Sequence, residues 1–272
     1  MFGKIINYQV KENQVIINFK DKVGIVNVLS DEVIWLHEEA MSSFKVESNS
    51  FTDKIEFSTN TVDGNVIIKT NKYIFIIEDN FKLRVVRDGQ LISYERDIEF
   101  KNDTYVNYDL IELEGHSVDR SSKQHQIMIN KVCNKMDYFY GFGEKTGFLN
   151  KRGYEYEMWN TDNPEPHVDS FRTLYKSIPY YITFNKDYCY GFFFDNTYKQ
   201  FYDVAKTHED CVSIGFDKGY FNYYFIGGDS IRGIVSNYAL ITGKTPLPQR
   251  WTLGHQQCRW SYMSKEEVLF VA

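Results

Sequence analysis

A net charge of -6 over 272 residues is spread across 31 basic and 37 acidic side chains. With no long run of either sign, it leaves no footprint for nucleic acid or an anionic membrane. A content of 43% hydrophobic and 25% charged residues marks a globular chain, large enough for one or two domains that bury roughly 70–75% of their unfolded surface. Its departure from average usage is aromatic, 21 Tyr and 21 Phe, which strands rich in such residues explain ahead of a sugar-stacking surface.

The amino terminus, MFGKIINYQVKENQ, carries no apolar core of signal-peptide length, so a cytoplasmic location is the default expectation. Short apolar or alternating runs then follow at Ile5 to Val10, Val15 to Phe19, Gly24 to Val28, Val33 to Leu36, Val66 to Thr70, Tyr73 to Ile77 and Phe81 to Val86. Spacings near ten residues predict an antiparallel sandwich and not strand-helix-strand units. Val62-Asp63-Gly64-Asn65 and Arg87-Asp88-Gly89-Gln90 are hairpin signals. His37-Glu38-Glu39-Ala40-Met41 begins like a zinc-protease motif, but Met41 stands where the second ligand must be, so no metal is expected there. Cys133, Cys189, Cys211 and Cys258 are scattered, as reduced buried thiols are, and form no disulfide framework or zinc site.

Between Lys101 and Lys135 the strand signals weaken. Tyr138 to Gly143 reads as a strand closing on glycines, whose spacing with Gly147 is wrong for a dinucleotide fingerprint. Tyr154 to Arg172 contains MWNTDNPEPHVDS, too long and polar for a simple hairpin, and is the candidate functional loop. Strands resume at Ser177 to Phe184, Tyr188 to Asp195, Gln200 to Ala205, Cys211 to Phe216 and Tyr220 to Ile226. Gly228 to Gly243 predicts an amphipathic helix with Ile231, Ile234, Val235 and Tyr238 on one face, Asp229 as N-cap and Gly243 beyond the last turn. After Pro246 and Pro248, Trp251 to Trp260 is expected to be a strand. Ser264 and Glu267, at capping-box spacing, then open a helix that stops at Ala272 as if at a fragment boundary.

Three blocks now carry a family resemblance. Pro248, Trp251, Leu253, Gly254, Gln257, Cys258, Arg259, Trp260 and Tyr262 fall in the register P-x-x-W-x-L-G-x-x-Q-C-R-W-x-Y; Tyr140 to Asp162 holds G-x-G-E followed by W-N-x-D; Tyr223 to Gly243 holds Y-x-F-x-G and a helix ending in T-G. Together they resemble glycoside hydrolase family 31, the α-glucosidases and α-xylosidases, and span Tyr140 to Ala272. That resemblance implies a mainly β fold. An antiparallel, galactose-mutarotase-like sandwich would occupy residues 1–244, with a linker helix at 229–242, and the first strand and partial helix of a (β/α)8 barrel would occupy 245–272.

It implies further that the chain is the amino-terminal part of a retaining α-glucosidase acting on α-linked gluco-oligosaccharides, with no metal or organic cofactor. Retaining hydrolysis needs two carboxyl groups about 5 Å apart. The family's nucleophile string W-x-D-M-N-E is missing here, since Trp159-Asn160-Thr161-Asp162 lacks the Met-Asn-Glu, so no catalytic residue carries over and these residues alone are expected to be inactive. Substrate contact does carry over. Asp162, the W-N-x-D aspartate, would accept hydrogen bonds from sugar hydroxyls, or alternatively cap the Asn163-Pro164 turn; Trp159 is expected to pack beneath that loop. Trp260 would wall the sugar pocket or lie buried between sandwich and barrel, and it ranks, with Arg259, His255 and Gln257, below Asp162. Trp251, Leu253, Trp260, Leu269, Phe270 and Val271, meant for an absent barrel, are expected to drive homo-oligomerisation or leave a disordered tail from about Tyr262. The competing class is a stand-alone carbohydrate-binding or structural module; a mutarotase would need its own His and carboxylate pair, which six His without a motif do not supply.

Overall fold

The computed structural model describes residues 1–39, 54–101, 110–113, 116–119, 125–163, 166–256 and 261–271. The first half of the chain forms β1 (Ile5–Lys11), β2 (Gln14–Phe19), β3 (Val23–Val28), β4 (Val33–Glu38), β5 (Ser58–Val62), β6 (Asn65–Lys69), β7 (Ile74–Glu78), β8 (Lys82–Arg87) and β9 (Gln90–Phe100). A small hairpin, β10 (Leu110–Leu113) and β11 (His116–Asp119), comes next. The second half supplies β12 (Ile127–Val132), β13 (Tyr138–Gly143), β14 (Glu155–Met158), β15 (Ser177–Phe184), β16 (Cys189–Phe194), β17 (Gln200–Val204), β18 (Cys211–Phe216) and β19 (Asn222–Ile226). Two helices follow, α1 (Ile231–Thr242) and α2 (Lys265–Val271).

The strands build two antiparallel sheets, one ordered β1-β2-β3-β4-β19-β16-β15-β13 and the other β14-β17-β18-β12-β9-β8-β7-β6-β5. Local chemistry sets the meander. Asp63-Gly64 and Asp88-Gly89 both hold positive φ, 50° and 80° in the first pair and 50° and 77° in the second, the backbone that a two-residue hairpin needs to match strand twist. Alternation does the rest: β2, β6 and β12 each put every second residue inward, so two apolar faces meet as one core.

That core is largely aromatic, with Tyr181, Phe192, Phe194, Tyr223 and Phe225 of one sheet facing Phe75, Phe81 and Tyr202 on the other side. In its middle lies an ion pair. Lys131 Nζ, 3.7 Å from the centre of the Phe192 ring, donates to Glu95 Oε1 at 3.1 Å; that carboxylate also accepts from Tyr223 Oη at 2.8 Å and from the Leu83 amide at 2.7 Å. Desolvation pushes the Lys131 ammonium down from its ordinary pKa, against the attraction of Glu95. Every polar group in the cluster has a partner, which is the condition for tolerating charge at this depth.

On the outer face of the first sheet, α1 buries Ile234 and Ile241 completely and stacks Tyr238 on Tyr180 at 4.0 Å. Its N-cap is Ser230, not Asp229: the Ser230 hydroxyl accepts from the Gly233 amide at 3.2 Å. The Asp229 carboxylate is engaged elsewhere, by Arg87 and, at 3.2 Å, by Lys72, and these cations hold it below the usual carboxylate range.

The expected strand at Trp251 to Trp260 is corrected. Residues Arg250–Leu253 form a 3-10 turn, His255 and Gln256 are irregular, and Gln257 to Trp260 lie outside the described residues. A parallel barrel strand takes its hydrogen bonds from neighbours on both sides, and none of the described strands pairs with this segment. The capping box is present. The Glu267 amide donates to Ser264 Oγ at 3.1 Å, and Glu267 Oε2 accepts from the Met263 amide at 3.0 Å, one residue earlier than the usual reciprocal bond. Lys265–Val271 is accordingly helical where a disordered tail was one expectation, although Leu269 and Phe270 stand 67% and 89% exposed.

Candidate functional site

The long loop expected over Tyr154 to Arg172 begins as β14, the edge strand of the second sheet. Its inward residue Tyr156 is fully buried and donates its hydroxyl to the Thr146 carbonyl at 3.0 Å. Its outward residues are charged and pinned: Glu155 pairs with Arg172 at 2.6 Å and Lys206 at 3.1 Å, and Glu157 with Lys199 at 2.9 Å. β14 is thus a fixed platform that launches Trp159 to Asp162.

The glycine motif before it supplies the other wall. Gly141, Phe142 and Gly143 all have positive φ, at 121°, 70° and 80°. A β-carbon on Gly141 would sit 2.5 Å from the Tyr180 carbonyl oxygen, and one on Gly143 2.7 Å from that of Lys176, so glycine is required at both. The resulting bulge against β15 brings Lys145 under the loop. Its Nζ donates to the Glu157 carbonyl at 3.0 Å. Desolvation, opposed by Glu157 and Glu144, lowers its pKa to about 8.

The loop then folds back along its own outgoing limb. Amides of Glu157 and Thr161 donate to the carbonyls of Arg172 (3.0 Å) and Leu174 (2.9 Å), and Asn160 Oδ1 accepts from the Ser177 amide at 2.8 Å. Leu174 is the buried foot of the returning limb. At the tip, His167 Nε2 is 3.1 Å and Tyr175 Oη 2.7 Å from the Asn163 carbonyl oxygen.

Asp162 is exposed on this braced loop, beside Tyr175. Desolvation and a hydrogen bond with the Asp162 carboxylate raise the Tyr175 hydroxyl above its ordinary pKa. Pro164 and Glu165, where turn-capping by Asp162 would act, lie outside the described residues, as does Trp260. Trp159 departs from expectation. It does not pack under the loop but is 54% exposed, at the rim of a cleft of about 390 Å3 between the loop and the β16–β17 connection. Asp195, Asn196 and Tyr198 of that connection also line the cleft. Tyr198 and Tyr175 escaped detection in the sequence because two tyrosines among 21 carry no positional signal; Lys145, directly after G-x-G-E, could have been found from that motif.

Among the described residues no cluster of His, Cys, Asp or Glu is arranged to hold a metal ion, and no helix is long and apolar enough to cross a membrane.

Two facing antiparallel sheets, with α1 packed on the outer face of one, form a β-sandwich of the galactose-mutarotase-like kind. Residues 22–203 match the glycosyl hydrolase 31 N-terminal galactose mutarotase-like domain, and the chain belongs to that family. Alpha-glucosidase 2 of Bacillus thermoamyloliquefaciens is 40% identical over 164 residues, 60% of this chain and 21% of that enzyme. The alpha-xylosidase XylQ of Lactiplantibacillus pentosus is 24% identical over 214 residues, 73% of this chain and 25% of that enzyme. In structure, the Flavobacterium johnsoniae GH31 dextranase complexed with glucose superposes with a TM-score of 0.78 at 27% identity, over 99% of this chain and 32% of that one. The chain therefore spans about a fifth to a third of the length of these relatives and corresponds to their N-terminal domain.

Proposed function

We propose that this domain serves a retaining α-glucosidase-like glycoside hydrolase acting on α-linked gluco-oligosaccharides, to which it contributes a substrate-binding loop and no catalytic carboxylate. The observation that carries the proposal is the exposed Asp162 on a loop braced at both limbs. A carboxylate is acceptor-only and can take two hydroxyls of a vicinal diol through charge-assisted bonds, and the bracing removes most of the ordering cost of presenting it. Residues 245–272 would begin the catalytic barrel, whose first strand would form only against its neighbours, and Trp260 would then stand at that strand's carboxyl end, where barrel sites are built. A similar protein, a mutant of the Flavobacterium johnsoniae GH31 dextranase, has been solved in complex with isomaltotriose, which supports a sugar ligand for this reading. Asp162→Ala, made in the enzyme that carries this domain, is expected to lower kcat/KM for maltose and isomaltose with the fold intact. Unchanged kinetics would remove Asp162 from the site.

A further inference from the structure

We infer that the cleft between Trp159 and Tyr198 is a binding subsite for a neutral pyranose ring, separate in its groups from the Asp162 carboxylate. This inference rests on the sugar-binding role proposed for the loop and assigns the residues of a second contact.

Four features of the cleft point to that ligand. Two large rings stand open at it, Trp159 at 54% and Tyr198 at 50% exposure, from chain segments that the fold brings together. Exposed rings are wasted on an anion but suit the C–H face of a sugar, which meets the negative face of the aromatic system. The polar lining is mostly neutral amide and hydroxyl, from Asn160, Ser177, Asn196 and Thr197, with Asp195 the lone carboxylate and no Lys or Arg among the described lining residues. Such a lining offers both donors and acceptors to hydroxyl groups, and it holds no cation to neutralise a phosphate or carboxylate ligand.

Ser177 Oγ, moreover, is buried with no hydrogen-bond partner among the described residues. An orphaned hydroxyl of this kind is costly unless something fills its valence, and it faces a cleft within the roughly 300–1,000 Å3 typical of small-molecule sites. The walls are also preset. Asn160 is held by the Ser177 amide (2.8 Å). Asn196 is held through the Lys218 carbonyl (3.0 Å) and the Tyr198 amide (2.9 Å), and Gln200 Nε2 clamps the Asn196 carbonyl at 2.6 Å. Little order remains to be imposed when a ligand enters.

The test is saturation-transfer and amide-shift NMR on the 272-residue chain with three probes: isomaltotriose, methyl α-glucopyranoside and choline chloride. Saturable shifts at Trp159, Asn160, Ser177 and Tyr198 with the two sugars, and none with choline, are expected. Trp159→Ala and Tyr198→Ala should each weaken sugar binding roughly two- to tenfold, the double variant should abolish it, and Asp162→Ala should leave the Tyr198 shifts in place. Amide spectra unchanged outside the cleft would exclude misfolding, and Tyr198→Phe, which keeps the ring, should retain binding. No sugar-dependent shift in the cleft, binding to choline alone, or binding indifferent to both ring removals would overturn the assignment. Failure of the Asp162 role alone would show as lost Asp162 dependence in the enzyme's kinetics with the Tyr198 shifts intact.

Discussion

Replacing Glu95 by Ala would strike the centre of the sandwich. Glu95 is 1% exposed and Lys131 3% exposed, so the variant strands an ammonium between two sheets and takes the acceptor from Tyr223 Oη and the Leu83 amide. Breaking one side of a buried pair costs about 3–5 kcal/mol, and two further orphaned donors add about 1–3 kcal/mol each. Against a total stability of about 5–15 kcal/mol for a domain, Glu95→Ala is expected to be unfolded or nearly so in dilute urea. Lys131→Met removes the charge and keeps the carboxylate's other two donors, so it should cost less. Glu95→Ala combined with Lys131→Met removes both charges and should recover the ion-pair part of the loss, while Tyr223 Oη and the Leu83 amide stay without their acceptor. Urea unfolding of the four proteins gives the coupling energy directly. Additive single-variant effects, or a Glu95→Ala protein less than 1 kcal/mol below the parent, would refute the account of this cluster.

Three further outcomes are expected. Lys145 has its pKa lowered from 10.5 to about 8, so the folded state binds fewer protons than the unfolded one between these values and stability should rise with pH across that window; the rise should be smaller in Lys145→Met, and reductive methylation should label Lys145 ahead of ordinary lysines near pH 8. A flat difference between the two proteins, or ordinary labelling, would contradict this. The purified 272-residue chain should not hydrolyse p-nitrophenyl α-glucoside above background, and turnover that survived repurification and depended on a residue of this chain would overturn that. Leu247, Trp251, Leu253, Leu269 and Phe270 are 95, 70, 73, 67 and 89% exposed; sedimentation should show concentration-dependent self-association that Trp251→Ser with Phe270→Ser reduces, and a monodisperse monomer at high concentration would sink it.

Short apolar runs bounded by turn residues were legible in the sequence, and β13, β15 and β18 match their expected spans to the residue, although β15 and β18 are buried in runs and do not alternate. The strands that escaped are informative. β9 reads as polar because Glu95, Arg96, Asp97 and Glu99 fall within it, yet Glu95 is buried and satisfied by partners 12, 36 and 128 residues away, which no local window contains. β12 hides Lys131 for the same reason. β5 is a short edge strand of Ser, Thr and Asn, exposed as edges often are. At the site, the G-x-G motif was visible as a pattern, but its cause, two carbonyl oxygens where β-carbons would go, exists only once β15 is alongside. Trp159 was misplaced because exposure of a loop residue is decided by the connection it faces and not by its neighbours in sequence.

Asp162→Asn is the most direct measurement of what the loop is for. Asparagine keeps the shape and the turn-forming capacity of aspartate and removes the charge, so it separates a sugar acceptor from an architectural residue. Melting temperature and kcat/KM should be taken on the same preparations of enzyme carrying this domain, beside Asp162→Ala. If Asp162 accepts sugar hydroxyls, one or two charge-assisted bonds at about 1.5–3 kcal/mol each are weakened or lost, and Asp162→Ala should reduce kcat/KM on the order of ten- to several-hundredfold, with Asp162→Asn intermediate and the melting temperature nearly unchanged. A lowered melting temperature in the Ala variant, its recovery in the Asn variant and near-normal kinetics in both would contradict substrate binding and leave Asp162 as a turn residue.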